Sequence, residues 1–286
     1  MYKIIRKKSL NPTVTQMEIE APLVAKKAQP GQFIILRVDA EGERIPLTVA
    51  GTNPGEGTVK IIFQIVGGTT AKLNDKNQGD YIQDFVGPLG AATRLDGLKK
   101  VCIVGGGVGC AIALPIAEAL HNMGVEVTSV VGFRNKDLLI LEDEFNACSD
   151  RFIVMTDDGS YGRHGNVTVP LKEMLENGEQ FDEVITIGPL IMMKFVVAAC
   201  KPFEVPVTVS MNPIMIDGTG MCGGCRLTLN QNGKRVTKFA CVDGPDFNGY
   251  EVDFDEAMSR GRMYFDFERH AYEETCNLLK KAKEAK

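Results

Sequence analysis

Val101-Cys102-Ile103-Val104-Gly105-Gly106-Gly107-Val108-Gly109-Cys110-Ala111 decides the fold. The first four residues are a short, fully apolar strand, and the glycines after them make a turn. Residues 111–123 then read as a helix closed by Gly124. Strand, Gly-rich turn and helix N-terminus together form an anion site, because free N–H groups and the helix dipole face a pyrophosphate. Gly105, Gly106, Gly107, Val108 and Gly109 are therefore candidate dinucleotide ligands. The strict G-x-G-x-x-G pattern needs glycine where Cys110 stands, so the fingerprint is incomplete. A tight strand-to-helix turn without a ligand is the alternative.

The alternation continues toward the C-terminus. Residues 125–131, 152–156, 184–187 and 207–211 read as strands, and residues 139–146, 169–177 and 191–199 as helices. Alternating strand and helix predicts a parallel, doubly wound sheet. An NAD site of this type often carries an acid ~20 residues after the glycines. Here the second strand ends Gly132-Phe133-Arg134-Asn135, and the next acid is Asp137. Arg134 suits the 2′-phosphate of NADP, or is a solvated surface arginine. The choice between NAD and NADP stays open.

Toward the N-terminus the pattern differs. Residues 14–19 alternate, and residues 32–38 and 59–66 are apolar and β-branched. Asn11-Pro12, Pro30-Gly31 and Asn53-Pro54-Gly55 separate them as turns. Such spacing predicts a small antiparallel barrel or sandwich. One short helix is expected from Thr69 or Thr70 to Asn74, with a threonine N-cap.

After Met211 comes a Gly- and Cys-rich segment, Asp217-Gly-Thr-Gly-Met-Cys222-Gly-Gly-Cys225, with fifteen more residues before Cys241. A plant-type [2Fe–2S] site has the spacing C-x4-C-x2-C and a later fourth cysteine. The spacing fits, with Asp217 in the first ligand position. A carboxylate can bind ferric iron, and the glycines permit positive φ and expose N–H groups toward sulfur. Structural zinc uses similar C-x2-C pairs, a metal-free turn is a third reading, and Asp217 can be a plain Asp-Gly turn residue. Cys102, Cys110, Cys148, Cys200 and Cys276 are scattered, and Cys102 and Cys200 read as small buried hydrophobes.

Composition sets the limits. The chain has 286 residues, enough for about two domains at ~150 residues each. It is 44% hydrophobic and 24% charged, which excludes disordered and fibrous classes. A net charge of -5 argues against nucleic acid and against an anionic membrane as partners. Residues 1–10 are basic and lack the apolar region of a signal peptide. The expected location is cytoplasmic, where thiols stay reduced and clustered cysteines act as metal or redox ligands. No apolar run reaches the ~20 residues that span a bilayer; residues 184–200 come nearest and are broken by Gly188, Pro189 and Lys194. Residues 280–286, rich in lysine, read as a solvated helix end or fray.

Barrel, glycine-loop domain and cysteine segment, in that order, resemble the ferredoxin–NADP reductase superfamily over nearly the full length. Within it the chain is most similar to the branch holding the electron-transfer subunits of dihydroorotate dehydrogenase B and the small (alpha) subunits of NADH-dependent ferredoxin:NADP oxidoreductase, also called sulfide dehydrogenase. Asp217 in place of cysteine is a feature of those alpha subunits.

The resemblance implies that the barrel binds FAD. The superfamily motif R-x-[YF]-[ST] falls on Ile45-Pro46-Leu47-Thr48. Leu47 replaces the stacking ring, and Arg44 stands one residue early for a phosphate; Thr48 keeps its hydroxyl. A second motif, V-G-x-G-T-x-x-L, falls on residues 66–73 and implies Gly68, Thr69 and Thr70 as pyrophosphate neighbours. Gly87-Pro88-Leu89-Gly90 matches the loop between domains. For the coenzyme, the resemblance adds Asp157, Gly188 and Pro189 to the glycine loop and Arg134.

The implied function is electron transfer. Hydride passes between NAD(P)H and FAD, and single electrons pass through a [2Fe–2S] cluster held by Asp217, Cys222, Cys225 and Cys241. No catalytic side chain is required, because the cofactors carry the reaction. That agrees with only three histidines, of which His164 reads as a surface loop residue. The implied partner is a larger flavoprotein with [4Fe–4S] clusters, reaching ferredoxin indirectly and coupling by electron bifurcation. The alternatives are a dihydroorotate dehydrogenase subunit and, in another class, a zinc-containing nucleotide-binding regulatory module.

The expected organisation has four parts. Residues 1–97 form the FAD-binding β-barrel, and 98–212 the NAD(P)-binding α/β domain. Residues 213–246 form the cluster segment, and 247–286 a C-terminal tail or helix. In that tail Tyr264, Phe265 and Phe267 offer a docking surface, or pack the last helix onto the domain.

Overall fold

The structure is a computed structural model; it describes residues 1–284, with side chains through residue 277. The N-terminal region holds β1 (Tyr2–Asn11), β2 (Val14–Glu20), α1 (Pro22–Ala25), β3 (Phe33–Arg37), β4 (Arg44–Asn53), β5 (Thr58–Gln64), α2 (Gly68–Asp75), β6 (Tyr81–Ile82) and β7 (Asp84–Leu89). The strands form one antiparallel sheet in the order β6-β1-β2-β5-β4-β3-β7. Its two edges are consecutive in the chain, with only Gln83 between them. Chain continuity therefore brings the edges together and nearly closes the barrel. Ile4, Met17, Ile19, Ile34, Leu36, Ile61 and Phe63 fill it. Each such side chain contributes about 1.5–3 kcal/mol on burial.

The second region holds β8 (Lys100–Gly106), α3 (Cys110–Asn122), β9 (Glu126–Phe133), α4 (Glu142–Ala147), β10 (Arg151–Thr156), β11 (Arg163–His164), α5 (Thr168–Glu176), β12 (Glu183–Ile187), α6 (Leu190–Cys200) and β13 (Val207–Ser210). There follow β14 (Arg226–Gln231), β15 (Lys234–Phe239), α7 (Ala240–Asp243), β16 (Asp246–Asn248), α8 (Phe254–Gly261) and α9 (Phe265–Glu284). The larger sheet runs β11-β10-β9-β8-β12-β13-β16. It is parallel except for β16, which pairs antiparallel with β13. The antiparallel barrel followed by a parallel α/β sheet is the fold class the sequence predicts.

The apolar run of β8 has a direct cause. Val101 and Ile103 point into one core, with α3 and the barrel residues Val14, Ala50 and Ile62. Cys102 and Val104 point into the other, with α5, α6 and the cysteine segment. Side chains alternate along a strand, so a strand covered on both faces is apolar throughout. Cys102 and Cys200 are buried there as expected.

Some local expectations are corrected. The N-cap of α2 is Gly67, not a threonine; Thr70 reaches back from the first turn and accepts from the Val66 and Gly67 N–H groups at 3.0 Å. His164 lies in a two-residue edge strand rather than a loop, though it is exposed. Helix α4 starts at Glu142, because Leu141 takes a left-handed φ of 61° and serves as its N-cap. The C-terminal helix is two helices, α8 and α9. The solvated end expected at residues 280–286 lies outside the described side chains. Among the described residues no helix is long and apolar enough to cross a membrane.

Candidate functional site

The coenzyme candidates all lie at the C-terminal edge of the parallel sheet. Gly105 pairs with Ile187 and Gly106 with Gly132, so the glycine turn abuts the turn at Gly188 and Pro189. The close approach explains the glycines. A Cβ on Gly109 would stand 2.5 Å from the Ile187 carbonyl oxygen, and one on Gly106 would stand 2.3 Å from the Met192 sulfur. Gly107 differs: its φ is +54° and nothing lies within 4 Å of its Cβ position. It is the glycine of this turn that faces open space.

Arg134 and Asp157 follow the adjacent strand ends and are exposed. The Asp157 N–H donates to the Phe133 carbonyl at 3.0 Å, which ties the two loops together. Asn135 beside them, given no role by the sequence alone, has a buried Oδ1 with no hydrogen-bond partner. An orphaned acceptor at the edge where α/β sheets bind dinucleotides is a feature a ligand donor can satisfy.

The flavin candidates lie on the barrel. Pro46, Leu47 and Thr48 sit on β4 opposite Ile35, Ile34 and Phe33, and all three are half-buried. Gly68 and Thr69 begin α2, where the first N–H groups have no acceptor within the helix. The Thr69 hydroxyl donates to the Glu43 carboxylate at 3.3 Å, joining the start of α2 to the start of β4. The two motifs are thus brought together, with an acid at the join that the sequence reading did not name. Thr70 turns inward: its hydroxyl donates to the Gly67 carbonyl and accepts two backbone N–H groups. Helix α9 covers one side of Gly68, whose Cβ position lies 3.4 Å from the Ala271 carbonyl oxygen.

The cysteine segment packs between the barrel and the parallel sheet. Cys225 and Cys241 are buried in the core shared with Phe33 and Ile35 of β3, while Cys222 is exposed. The Cys241 N–H points at the Cys225 sulfur and the Gly224 N–H at the Cys222 sulfur, each at 3.5 Å. Burial, then the Cys225 thiol beside it, pushes the Cys241 thiol up to about 11, and Cys222 adds to the effect. Gly218, Gly220 and Gly223 take φ of +80°, +82° and +67°, which lets the chain wrap the thiols.

Asp217 holds a different posture. Its Oδ2 accepts from the Thr219 hydroxyl and from the N–H groups of Thr219 and Met221. The Thr219 hydroxyl chiefly, with the Arg44 charge as a smaller contribution, holds the carboxyl below its usual range. Arg44 thus acts on Asp217 at the cysteine loop. Among the described residues no three or more His, Cys, Asp or Glu side chains already meet in metal-binding geometry. The donor set nonetheless suits an iron–sulfur centre. The Cys225 and Cys241 thiols lie side by side, Cys222 is near enough to act on Cys241, and N–H groups are aimed at two of the sulfurs, as a cluster's charge demands. A carboxylate stands five residues ahead of Cys222, with one oxygen free of those three bonds.

Near the C-terminus, Tyr264, Phe265 and Phe267 are exposed rather than packed onto the domain. The face of α9 bearing Ala271 and Thr275 rests on α2 instead.

Comparison with known proteins agrees with this geometry. Residues 212–253 match the model of the iron-sulfur cluster binding domain of dihydroorotate dehydrogenase B. The chain is 46% identical to a homologue of the dihydroorotate dehydrogenase B (NAD(+)) electron transfer subunit from Thermotoga maritima, over 96% of this chain and 95% of the relative. It is 34% identical to the Streptococcus pneumoniae electron transfer subunit, over 86% of this chain and 97% of the relative. Among solved structures it is similar to a chain from the NADH-dependent reduced ferredoxin-NADP oxidoreductase, studied for flavin-based electron bifurcation. That match has a TM-score of 0.88 and 44% identity, over 96% of this chain and 97% of the other.

Proposed function

The chain belongs to the family of dihydroorotate dehydrogenase B electron-transfer subunits and their homologues, and from that premise we propose that it is the flavin and iron–sulfur electron-transfer subunit of an NAD(P)H:ferredoxin oxidoreductase complex. The observation that carries this reading is the placement of Cys225 and Cys241, with Cys222 exposed in the same loop, against barrel strand β3, one strand away from the flavin candidates on β4. The cofactors supply the chemistry: hydride exchange between NAD(P)H and FAD, and one-electron passage through a [2Fe–2S] cluster.

The residues hold and orient. Pro46, Leu47 and Thr48 border the flavin ring, with Gly68 and Thr69 offering N–H groups to its pyrophosphate. Gly105, Gly106, Gly107, Val108 and Gly109 cradle the coenzyme phosphates, and Gly188, Pro189, Arg134 and Asp157 line the same sheet edge. Asp217, Cys222, Cys225 and Cys241 hold the iron. Burial of Cys225 and Cys241 would keep water from that side of a bound cluster.

As an electron-transfer subunit the chain works with a larger partner. We take that partner to be a flavoprotein with [4Fe–4S] clusters that reaches ferredoxin and bifurcates electrons, and the compartment to be the cytoplasm. The relation to the pneumococcal subunit favours dihydroorotate dehydrogenase as the second reading.

The test is an absorption spectrum of the anaerobically purified chain, before and after NADH and then NADPH. Flavin bands with a broad thiolate-to-iron shoulder, bleached by one coenzyme, support the reading and name the donor. A chain that stays colourless after FAD and iron–sulfur reconstitution, or that carries zinc without flavin, overturns it in favour of a regulatory module. Co-purification with a [4Fe–4S] flavoprotein or with a dihydroorotate-oxidising subunit separates the two enzyme readings.

A further inference from the structure

The Asp217 carboxylate is used unevenly. Oδ2 takes three bonds: the Thr219 N–H at 3.1 Å, the Thr219 hydroxyl, and the Met221 N–H at 3.4 Å. Oδ1 takes none of them. The bond to Met221 carries the carboxylate to within one residue of Cys222. The backbone beneath it is held from outside, because the Cβ position of Gly218 lies 2.8 Å from Leu89 Cδ1 and 2.9 Å from Ile35 Cδ1. Main chain and side chain are therefore fixed by separate contacts, and the Thr219 hydroxyl is the one side-chain donor among the three bonds.

We propose that Thr219 is a positioning residue for Asp217 as an iron ligand: it occupies Oδ2, so that Oδ1 alone is presented to the metal. This rests on the reading of Asp217 as the fourth ligand. The physical case is that of an outer partner that orients a ligating carboxylate. A carboxylate with both oxygens free can bind iron through two atoms or swing away. With Oδ2 tied it is a one-atom donor aimed in one direction. The hydrogen bond also withdraws electron density from the carboxylate, which makes the oxidised cluster less favoured than with a free carboxylate. Losing the hydroxyl should loosen the iron and shift the cluster potential to a more negative value.

The experiment uses the full chain, loaded as purified or reconstituted with iron and sulfide. It compares the parent with Thr219→Val, Thr219→Ser and Asp217→Asn. Three quantities are read: the rate at which a chelator bleaches the iron absorption, the electron paramagnetic resonance g-values after dithionite reduction, and the midpoint potential. Thr219→Val, which keeps the shape and removes the hydroxyl, is expected to bleach about 10-fold faster or more. Its g-values should be altered and its potential lower, while Thr219→Ser behaves as the parent. If Asp217→Asn changes the spectrum and Thr219→Val does not, Thr219 only closes a turn and the proposal is overturned. The same holds if Thr219→Val merely lowers the melting temperature of the apo chain. If Asp217→Asn matches the parent in all three, the ligand reading fails first and takes the proposal with it.

Discussion

The Thr275 hydroxyl in α9 lies 2.9 Å from the point where a Cβ on Gly68 would stand. Gly68, a flavin candidate at the first turn of α2, is thus also the seat of the C-terminal helix. Thr275 is fixed there by donating to the Ala271 carbonyl at 2.8 Å. Gly68→Leu should undock α9 and let its backbone open, so that trypsin cuts faster at Arg262 and Arg269, which are already exposed. A milder pair, Gly68→Ala with Thr275→Ala, should restore docking, with a coupling of about 0.5–3 kcal/mol in a double-mutant cycle. Equal trypsin rates in parent and Gly68→Leu would mean that α9 does not rest on α2 in solution.

Two glycines of the loop after β8 should fail in different ways. A Cβ on Gly109 meets backbone, 2.5 Å from the Ile187 oxygen and 2.8 Å from Gly188 Cα. Gly109→Ala should therefore cost about 1–3 kcal/mol, a melting-temperature drop of several degrees with or without coenzyme. Gly107 faces open space at φ +54°. Gly107→Ala should cost only about 1 kcal/mol of fold, but weaken coenzyme binding about tenfold, or about 1.4 kcal/mol. Calorimetry with and without NADH or NADPH separates the two. Equal coenzyme affinity in Gly107→Ala and parent removes the loop from the coenzyme site.

The parts of this fold legible in the sequence are those whose pattern is local. The run from Val101 to Val104 reads as a strand because both its faces are buried, and the glycines after it because they sit where backbones touch. The hairpin β14–β15 was also legible and missed. Asn232-Gly233, with φ of 51° and 75°, is a two-residue turn signal between Leu227, Leu229 and Val236, but glycine and cysteine content dominated the reading of that segment. Strand β1 was obscured by its charges, of which Arg6 and Lys8 are exposed while Lys7 reaches the carbonyls at the end of α2 and Ile4 is buried. Contacts such as Thr69 to Glu43 and Gly68 to Thr275 join segments far apart in the chain. No spacing rule carries them.

The thiols divide by exposure. Cys222 is exposed, Cys276 is half-buried and the other six are buried. Burial pushes Cys200 up to about 12 and Cys148 up to about 11, which keeps them as unreactive thiols. In the apo chain at neutral pH, iodoacetamide should modify Cys222 first, and Cys102, Cys110, Cys148 and Cys200 slower by on the order of tenfold or more. Loading iron and sulfide should protect Cys222 and leave Cys276 unchanged. Peptide mass spectrometry reads both, and a Cys222 that reacts as fast in the loaded chain is not an iron ligand.

Asp246 joins three parts of the chain. Its Oδ2 accepts from the Thr93 hydroxyl at 2.6 Å, in the segment between the two sheets, and Ser210 at the end of β13 is its cross-strand partner. Its Oδ1 is buried without a partner. Burial, with a smaller push from Glu183, raises the carboxyl above its ordinary range. The folded chain thus keeps a proton that the unfolded chain releases above about pH 3.9. The stability from this group is complete below that value and is lost as pH rises through the raised folded value. Asp246→Asn keeps a neutral side chain at every pH. Relative to the parent, its melting temperature should therefore be more favourable at pH 8 than at pH 4. A tenfold difference in proton affinity between folded and unfolded chains is about 1.4 kcal/mol, or about 4 °C for a chain of this size. An offset between variant and parent that is the same at both pH values shows that Asp246 is ionised in the fold, with its charge balanced by the groups around Thr93 and Ser210.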